Sequence, residues 1–460
     1  MNFKYNILKN TIAAFFILIP LFSLIQGRDT QNVIQASEPE SPQDTKQKLD
    51  SLVVQNWDTL TNKWVVDYKE EYNYNSEGRL TFFVTFNRDQ ATGKWLPSYK
   101  EEYNYTNGNL TLYIDYYFDN STNQWIYDDK EEYVYDSGNK MTKYITYYWD
   151  GTSGKWMSSF LGEFFYNSIE KIKQFISSYR DETAGIWIAS YKGDYGYTDG
   201  NLTQYSGYYR DAATDTWIEY FKAEYKYDKY NKLMQYISYY SHPATKQWVA
   251  DLKYDYTYNT SDNLELTVES YWDGLLRRWT PRKKQEYSYD TGRNMTLYLE
   301  YYWNQLGFNW KPTYKEEYDY DNTYSYSDLI LPPKEGNEVT FNHMRTGYQS
   351  YIFNESLYRW IPYKKGNYYF SPNSTPVDVL KIKTDNAKIY PNPFSEYISF
   401  SFPANYCQII FELSDYRGRL IEHRNIKNDE RLNMKKLKKG LYFYKLSTDG
   451  IIQTGVLIKE

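Results

Sequence analysis

From Val53 to Phe370 the chain repeats one pattern of positions. A stretch in which large aromatic and polar residues alternate is followed by a short turn, a second alternating stretch and another turn. Residues 95–119 show the unit: Trp95-Leu-Pro-Ser-Tyr-Lys-Glu-Glu-Tyr-Asn-Tyr105, then Thr-Asn-Gly-Asn, then Leu110-Thr-Leu-Tyr-Ile-Asp-Tyr-Tyr-Phe-Asp119. Alternation with period two over about ten residues predicts a half-buried β-strand. Asn107-Gly108 predicts the tight turn, because Gly accepts the positive φ that such turns need. Gly78, Gly138 and Gly200 hold the same place. Each unit is therefore expected to be a β-hairpin.

The unit recurs at Trp64, Trp95, Trp125, Trp156, Trp187, Trp217, Trp248, Trp279, Trp310 and Trp360. The first nine are 30 or 31 residues apart and the last gap is 50, which reads as one repeat carrying an insertion of about 19 residues, near 321–349. A fixed period of this size predicts an array in which no unit buries its apolar face alone. The ten tryptophans are expected to be structural anchors where each turn enters its hairpin. About twenty strands at ~4.8 Å spacing would make a flat sheet on the order of 95 Å long. Sheets twist, so the expected fold is all-β: about ten 31-residue hairpins in a coiled antiparallel meander. The Tyr-x-Tyr-(Asn/Asp)…Gly-Asn-Leu-Thr core at Tyr103–Thr111 and Tyr195–Thr203 resembles the tyrosine-aspartate (YD) repeats of the Rhs family. That resemblance implies hairpins wound into a spiralling sheet, although the longer period and the Trp anchor depart from the family's unit.

Strict alternation would place Trp95, Pro97, Tyr99, Glu101, Tyr103 and Tyr105 on one face, and Leu96, Ser98, Lys100, Glu102 and Asn104 on the other. Five residues after the Trp stands Lys in nine of ten repeats, and seven after it an acid in nine of ten. This Lys–acid face is expected to be solvated, with pairs worth roughly 0.2–1 kcal/mol. The aromatic face is expected to be packed. Six residues before each Trp sits Asp58, Asp89, Asp119, Asp150, Asp181, Asp211, His242, Asp273, Asn304 or Asn354. A short acceptor there pins the turn by bonding nearby backbone N–H groups. One carboxylate per loop falls far short of a calcium site, which takes about six to eight oxygens.

The flanks of the array differ in composition. Residues 1–27 read as a secretory signal, with Lys4 and Lys9 before a short apolar run. That run is too short to span a bilayer comfortably, so the mature chain is expected to have no transmembrane segment. Residues 28–51 and 371–386 read as linkers around the array at 52–370, and residues 387–460 form a separate segment. The single cysteine, Cys407, cannot make an intramolecular disulfide.

The last segment runs Lys388-Ile-Tyr-Pro-Asn-Pro-Phe394, Ile409-Ile-Phe-Glu-Leu-Ser-Asp-Tyr-Arg-Gly-Arg-Leu-Ile421, Leu437-Lys-Lys-Gly-Leu-Tyr-Phe-Tyr-Lys-Leu446 and Thr454-Gly-Val-Leu-Ile-Lys-Glu460. Short alternating strands between Gly, Asp and Asn turns predict a small antiparallel sandwich. The succession resembles the type A C-terminal sorting domain of the type IX (Por) secretion system of Bacteroidetes. By motif, Pro391, Asn392, Pro393, Gly418, Gly440, Leu441, Tyr442 and Lys459 carry the resemblance. The final Glu460 departs from it, since family members often end on a basic residue. The resemblance implies an immunoglobulin-like β-sandwich read by the secretion machinery, after passage through the Sec translocon. It also implies a passenger that is released or attached at the outer surface.

Candidate chemistry is sparse. His242, His343 and His423 show no ligand spacing, which argues against a metal site. No phosphate-cradling loop or nucleophile elbow is present, so no cofactor is expected. The mild net charge of −6, without basic patches, argues against nucleic acid. The pairs Glu70/Glu71, Glu101/Glu102, Glu131/Glu132 and Glu316/Glu317 invite a glycoside hydrolase reading, but neighbouring strand residues face opposite ways, and Gly162, Gly193 and Ala223 replace the first Glu elsewhere. The sequence thus points to a non-catalytic adhesion, structural or interaction surface. The alternative is a carbohydrate-binding array, with Tyr113, Tyr117, Tyr144, Tyr148, Tyr205 and Tyr209 as candidate ligand-facing residues. Tyrosine is abundant enough for either, at 57 of 460 residues.

Overall fold

The hairpins that the aromatic repeat predicts are present, and the array they form is closed on itself. The computed structural model describes residues 46–333, 341–373, 388–401, 409–415, 420–427, 429–448 and 451–460. The signal at 1–27, most of the first linker, Cys407 and Gly418 lie outside them. The chain divides into two units, Met1–Pro372 and Asn373–Glu460.

In the first unit each strand pairs antiparallel with the next, from Gln47–Asp58 round to Arg359–Pro372. The last strand then pairs with the first, with Val53 opposite Asn367 and Val54 opposite Gly366. Apart from the two-residue strand Leu329–Ile330, the sheet is therefore a ring of 20 strands, an all-antiparallel β-barrel. This corrects the expected open, coiled meander. An open array leaves two rows of unpaired N–H and C=O groups at its edges, and closure pairs them. The sequence concealed the closing strand, which lacks the tyrosine-rich signature and starts inside the presumed linker. Gln47–Ser51 are strand, and Leu49, Leu52 and Val54 of that strand are buried. Ser371 and Pro372 likewise extend the last strand into the second presumed linker.

The insertion serves this junction. Leu329–Ile330 pairs in parallel with Gln47–Lys48, giving the projecting start of the first strand a partner. Leu329 packs with Phe341 and Met344. Asn294, fully buried, fixes the returning chain by accepting the N–H groups of Asn342 and His343, both at 3.0 Å.

One extra residue per repeat decides which side chains share a face. Opposite Thr85 and Phe86 lie Tyr99 and Pro97, so Ser98 is a bulge that donates its hydroxyl to the Thr85 carbonyl at 3.1 Å. Ser159, Ser190 and Thr313 occupy the same place in their repeats. A bulge inverts the alternation beyond it. Trp95 and its equivalents therefore lie on the Lys100–Glu102 face, away from Tyr99, Glu101 and Tyr103. The expected sharing of one face by Trp and Tyr is wrong for this reason. The hydroxyl residue three after several of the tryptophans was the available signal.

Curvature crowds side chains on the concave face and splays them on the convex one. Glu101 is 6% exposed whereas the Glu102 side chain is 38% exposed, so the tyrosine face is the inner wall. On the outer wall most repeats build the same stack. Lys100 lies 3.9 Å from the Tyr116 ring and 5.5 Å from Trp125, and pairs with Glu102 at 2.7 Å. Eight lysines, from Lys69 to Lys315, approach the next repeat's Trp in this way.

In the second unit, one sheet joins Lys388–Tyr390, Tyr397–Ser401 and Arg431–Asn433. The other joins Leu420–Ile426, Ile409–Asp415, Gly440–Thr448 and Ile451–Lys459. Phe394, Ile398, Phe400, Phe411, Leu413, Ile426 and Leu457 form their common core.

Candidate functional site

The inner wall of the barrel is built in layers, and the layers change character from one end to the other. At the end with the glycine turns, tyrosine hydroxyls tie each repeat to the one before. Tyr166 donates to the Met141 carbonyl at 2.7 Å, Tyr197 to Ile172 at 2.9 Å and Tyr227 to Leu202 at 2.9 Å. Tyr258, Tyr289 and Tyr320 repeat the bond. Leu80, Leu202 and Leu233 are buried in this layer.

The middle layer alternates tyrosines with acids. Tyr99 donates to Glu101 at 2.7 Å and lies 3.1 Å from both the Tyr113 hydroxyl and Asp115. Tyr103 also bonds Glu101, and Tyr133 bonds Glu131. Burial raises the Asp115 carboxyl to about 6, against the bonds from the Asp129 N–H and Tyr99 that lower it. Burial also raises Glu131 and Glu316, and pushes the Tyr113 and Tyr205 hydroxyls well above their usual range. Along the strands from Lys155 to Tyr227 the acids give way to Gly162, Gly193 and Ala223, and the Tyr144 and Tyr205 rings close over the space. No group of three His, Cys, Asp or Glu side chains suited to a metal occurs among the described residues.

At the opposite mouth the wall ends in a row of tyrosines, each eight residues before a repeat Trp. Tyr117, Tyr179, Tyr209, Tyr240 and Tyr302 are 38–45% exposed, and Tyr148 and Tyr271 complete the row. Neighbours are two strands apart, or about 10 Å at the usual strand spacing. Some hydroxyls are already held: Tyr148 donates to Glu182 at 2.7 Å, Tyr302 to Glu355 at 2.8 Å, and Tyr271 accepts from Gln305 at 2.8 Å. The turns beyond them are pinned as the sequence implied. Asp119, for example, accepts the Ser121 N–H at 2.8 Å, and its bonds to the Ser121 and Thr122 hydroxyls lower its carboxyl to about 2.

The structure thus separates the six candidate tyrosines. Tyr113, Tyr144 and Tyr205 are packed in the wall, with Tyr144 and Tyr205 buried, while Tyr117, Tyr148 and Tyr209 sit at the mouth. Sequence reasoning missed Tyr179, Tyr240, Tyr271 and Tyr302, whose fixed offset from the Trp would have found them. The ten Trp anchors all lie on the outer wall. Among the described residues no helix is long and apolar enough to cross a membrane. On the outer wall the glutamates of the lysine stacks, Glu71, Glu102 and Glu132, keep 38–49% of their side-chain surface exposed.

In the second unit the first and last motifs of the segment meet. Asn392 accepts the Ile458 N–H at 2.8 Å, the Phe394 N–H donates to the Ile458 carbonyl at 2.8 Å, and the Glu460 N–H donates to the Phe394 carbonyl at 2.9 Å. Lys459 bonds the Ser395 carbonyl. Both proline peptides, before Pro391 and Pro393, are cis. Gly440 takes a φ of 150°, Leu441 is exposed opposite Ile458, and the buried Tyr442 donates to the Lys438 carbonyl at 2.7 Å.

No curated protein matches the chain. Among solved structures, a DUF3836 family protein from Bacteroides vulgatus is 15% identical, with 20% of this chain and 90% of that one covered, at a TM-score of 0.18. A protein of unknown function from Bacteroides fragilis is 15% identical over 35% and 93% of the two chains, at 0.18. A porin-like protein from Bacteroides uniformis is 9% identical over 70% and 98%, at 0.25. The family model described as the secretion system C-terminal sorting domain matches residues 388–460. That segment is a type IX sorting domain, and it directs the chain through the periplasm to the cell surface or the extracellular space.

Proposed function

We propose that the barrel is a non-catalytic interaction module, delivered outside the cell by its sorting domain to make adhesive or structural contacts. The first acid of each Glu-Glu pair is engaged by a tyrosine hydroxyl: Glu70 by Tyr72, Glu101 by Tyr99, Glu131 by Tyr133 and Glu316 by Tyr314. The two-sheet sorting domain fits the immunoglobulin-like sandwich that its motifs imply, with the Sec translocon and the type IX machinery as its export partners.

One observation favours a specific ligand, the row of half-exposed tyrosines facing the mouth. An aromatic ring offers a flat apolar face and a polar tip, which suits the C–H face and hydroxyls of a sugar ring. Carbohydrate is therefore the ligand class this mouth fits best, with Tyr117, Tyr148, Tyr179, Tyr209 and Tyr240 as the platform. The experiment is a glycan array probed with the exported protein. Binding to one sugar class supports the reading, and silence across the array rejects carbohydrate and leaves a protein contact.

A further inference from the structure

Four hairpin tips at the tyrosine mouth differ from the other six. They follow Asp58, Asp273, Asn304 and Asn354, and they carry Leu60, Leu275, Leu306, Phe308, Leu357 and Tyr358. Leu60, Leu275 and Leu306 are each more than 90% exposed, at 91%, 96% and 94%. The other tips, such as Gln90-Ala-Thr-Gly93 and Asn120-Ser-Thr-Asn123, are small or polar. In sequence Leu60 lies far from Leu357. Closure of the barrel makes their hairpins neighbours, because Arg359–Pro372 pairs with Gln47–Asp58. The four apolar tips thus form one continuous arc.

The outer wall behind this arc is aromatic throughout, a feature it shares with the wall behind the tips after Asp119 and Asp150, where Phe118–Trp125 and Trp149–Trp156 stack in the same way. Each hairpin of the arc stacks two aromatic rings edge to face: Trp57–Trp64 at 5.2 Å, Trp272–Trp279 at 5.3 Å, Trp303–Trp310 at 5.0 Å and Phe353–Trp360 at 5.2 Å. Lys63, Arg277, Arg278 and Arg359 flank the tips. The acids nearby serve the barrel itself. Asp58 and Asp273 accept the N–H of Leu60 and Leu275 at 2.9 and 3.0 Å, and Glu355 holds the Tyr302 hydroxyl.

We propose that this arc is a membrane-docking face, which seats its leucine and phenylalanine tips in the interfacial zone of an anionic bilayer leaflet. Apolar tips, an aromatic band and then a charged wall follow the order of environments met on leaving a bilayer. Trp and Tyr favour the headgroup level, and basic residues are drawn to anionic lipid. Exposed apolar side chains on pinned turns at the barrel rim suit a deformable apolar medium. The inference does not depend on carbohydrate binding, since Tyr117 to Tyr240 line the other arc of the mouth.

The test is co-sedimentation of the exported protein, recovered without residues 1–27, with vesicles of phosphatidylglycerol or of phosphatidylcholine. The protein is expected to pellet with the anionic vesicles. The L60S/L275S/L306S/L357S variant should partition at least tenfold less, with an unchanged melting curve, and A91S/A213S on the polar arc should behave as wild type. Should the quadruple variant melt early, R277E/R278E provides a second, surface-only variant expected to lose anionic binding. Wild type remaining in the supernatant with phosphatidylglycerol, or a well-folded quadruple variant pelleting like wild type, overturns the proposal.

Discussion

Tyr144 covers Gly162 directly across the sheet: a Cβ placed on Gly162 would stand 2.1 Å from Tyr144 Cε1. Tyr348 covers Gly366 at the same distance. Where a repeat gives up its wall glutamate for glycine, the facing tyrosine thus takes the vacated space. G162A is expected to destabilise the barrel by about 1–3 kcal/mol, the usual cost of overpacking. G151A, at a turn with nothing within 4 Å, should be nearly silent. Denaturant unfolding of the two variants checks this, and equal stabilities would contradict the packing described.

The Asp115 carboxyl, raised to about 6 by burial, makes stability depend on pH in a defined sense. Its unfolded value is near 3.9. The folded protein therefore binds this proton more tightly, and stability falls as pH rises from about 4 to 6, then stays low. Asp115→Asn keeps an acceptor for the Asp129 N–H, which Asp115 bonds at 2.6 Å, and removes the charge. The variant should melt above wild type at pH 8, by no more than about 3 kcal/mol, and the difference should vanish toward pH 4. A difference that does not change with pH would contradict the assignment.

The outer position of the tryptophans lowers what each contributes. A buried Trp truncated to Ala would cost about 3–5 kcal/mol. Trp125, half-buried on the outer wall beside Phe118 and Lys100, should cost less, about 1–2 kcal/mol from its partial burial and cation–π contact. Thermal unfolding of W125A measures it, and a loss at the core value would return the ring to the interior.

Much of this was legible in the sequence, for physical reasons that can be named. The hairpins followed from period-two alternation and from Asn107-Gly108, where both residues take positive φ. Gly138 holds the corresponding place in its repeat, but there Asn139, one position later, carries the positive φ. The sorting motifs were legible because short segments specify them locally. Closure was not, because it depends on a pairing between Val53 and Asn367 at opposite ends of the array. The facing of Trp95 and the arc from Leu275 to Leu60 were missed for related reasons. A single bulge residue inverts the first, and closure alone creates the second.

Removing Lys388–Glu460 should abolish export. Fractionation is expected to find the truncated barrel in the periplasm and the full chain outside, while truncated protein at the surface would exclude the sorting domain as the route.

If the tyrosine mouth is the recognition surface, calorimetric affinity for the best glycan of the array must depend on its rings. Y117A/Y209A, at two half-exposed positions, should bind at least tenfold more weakly, about 1.4 kcal/mol, with its melting temperature unchanged. Affinity equal to wild type in the folded variant, or no measurable affinity in wild type, would contradict it.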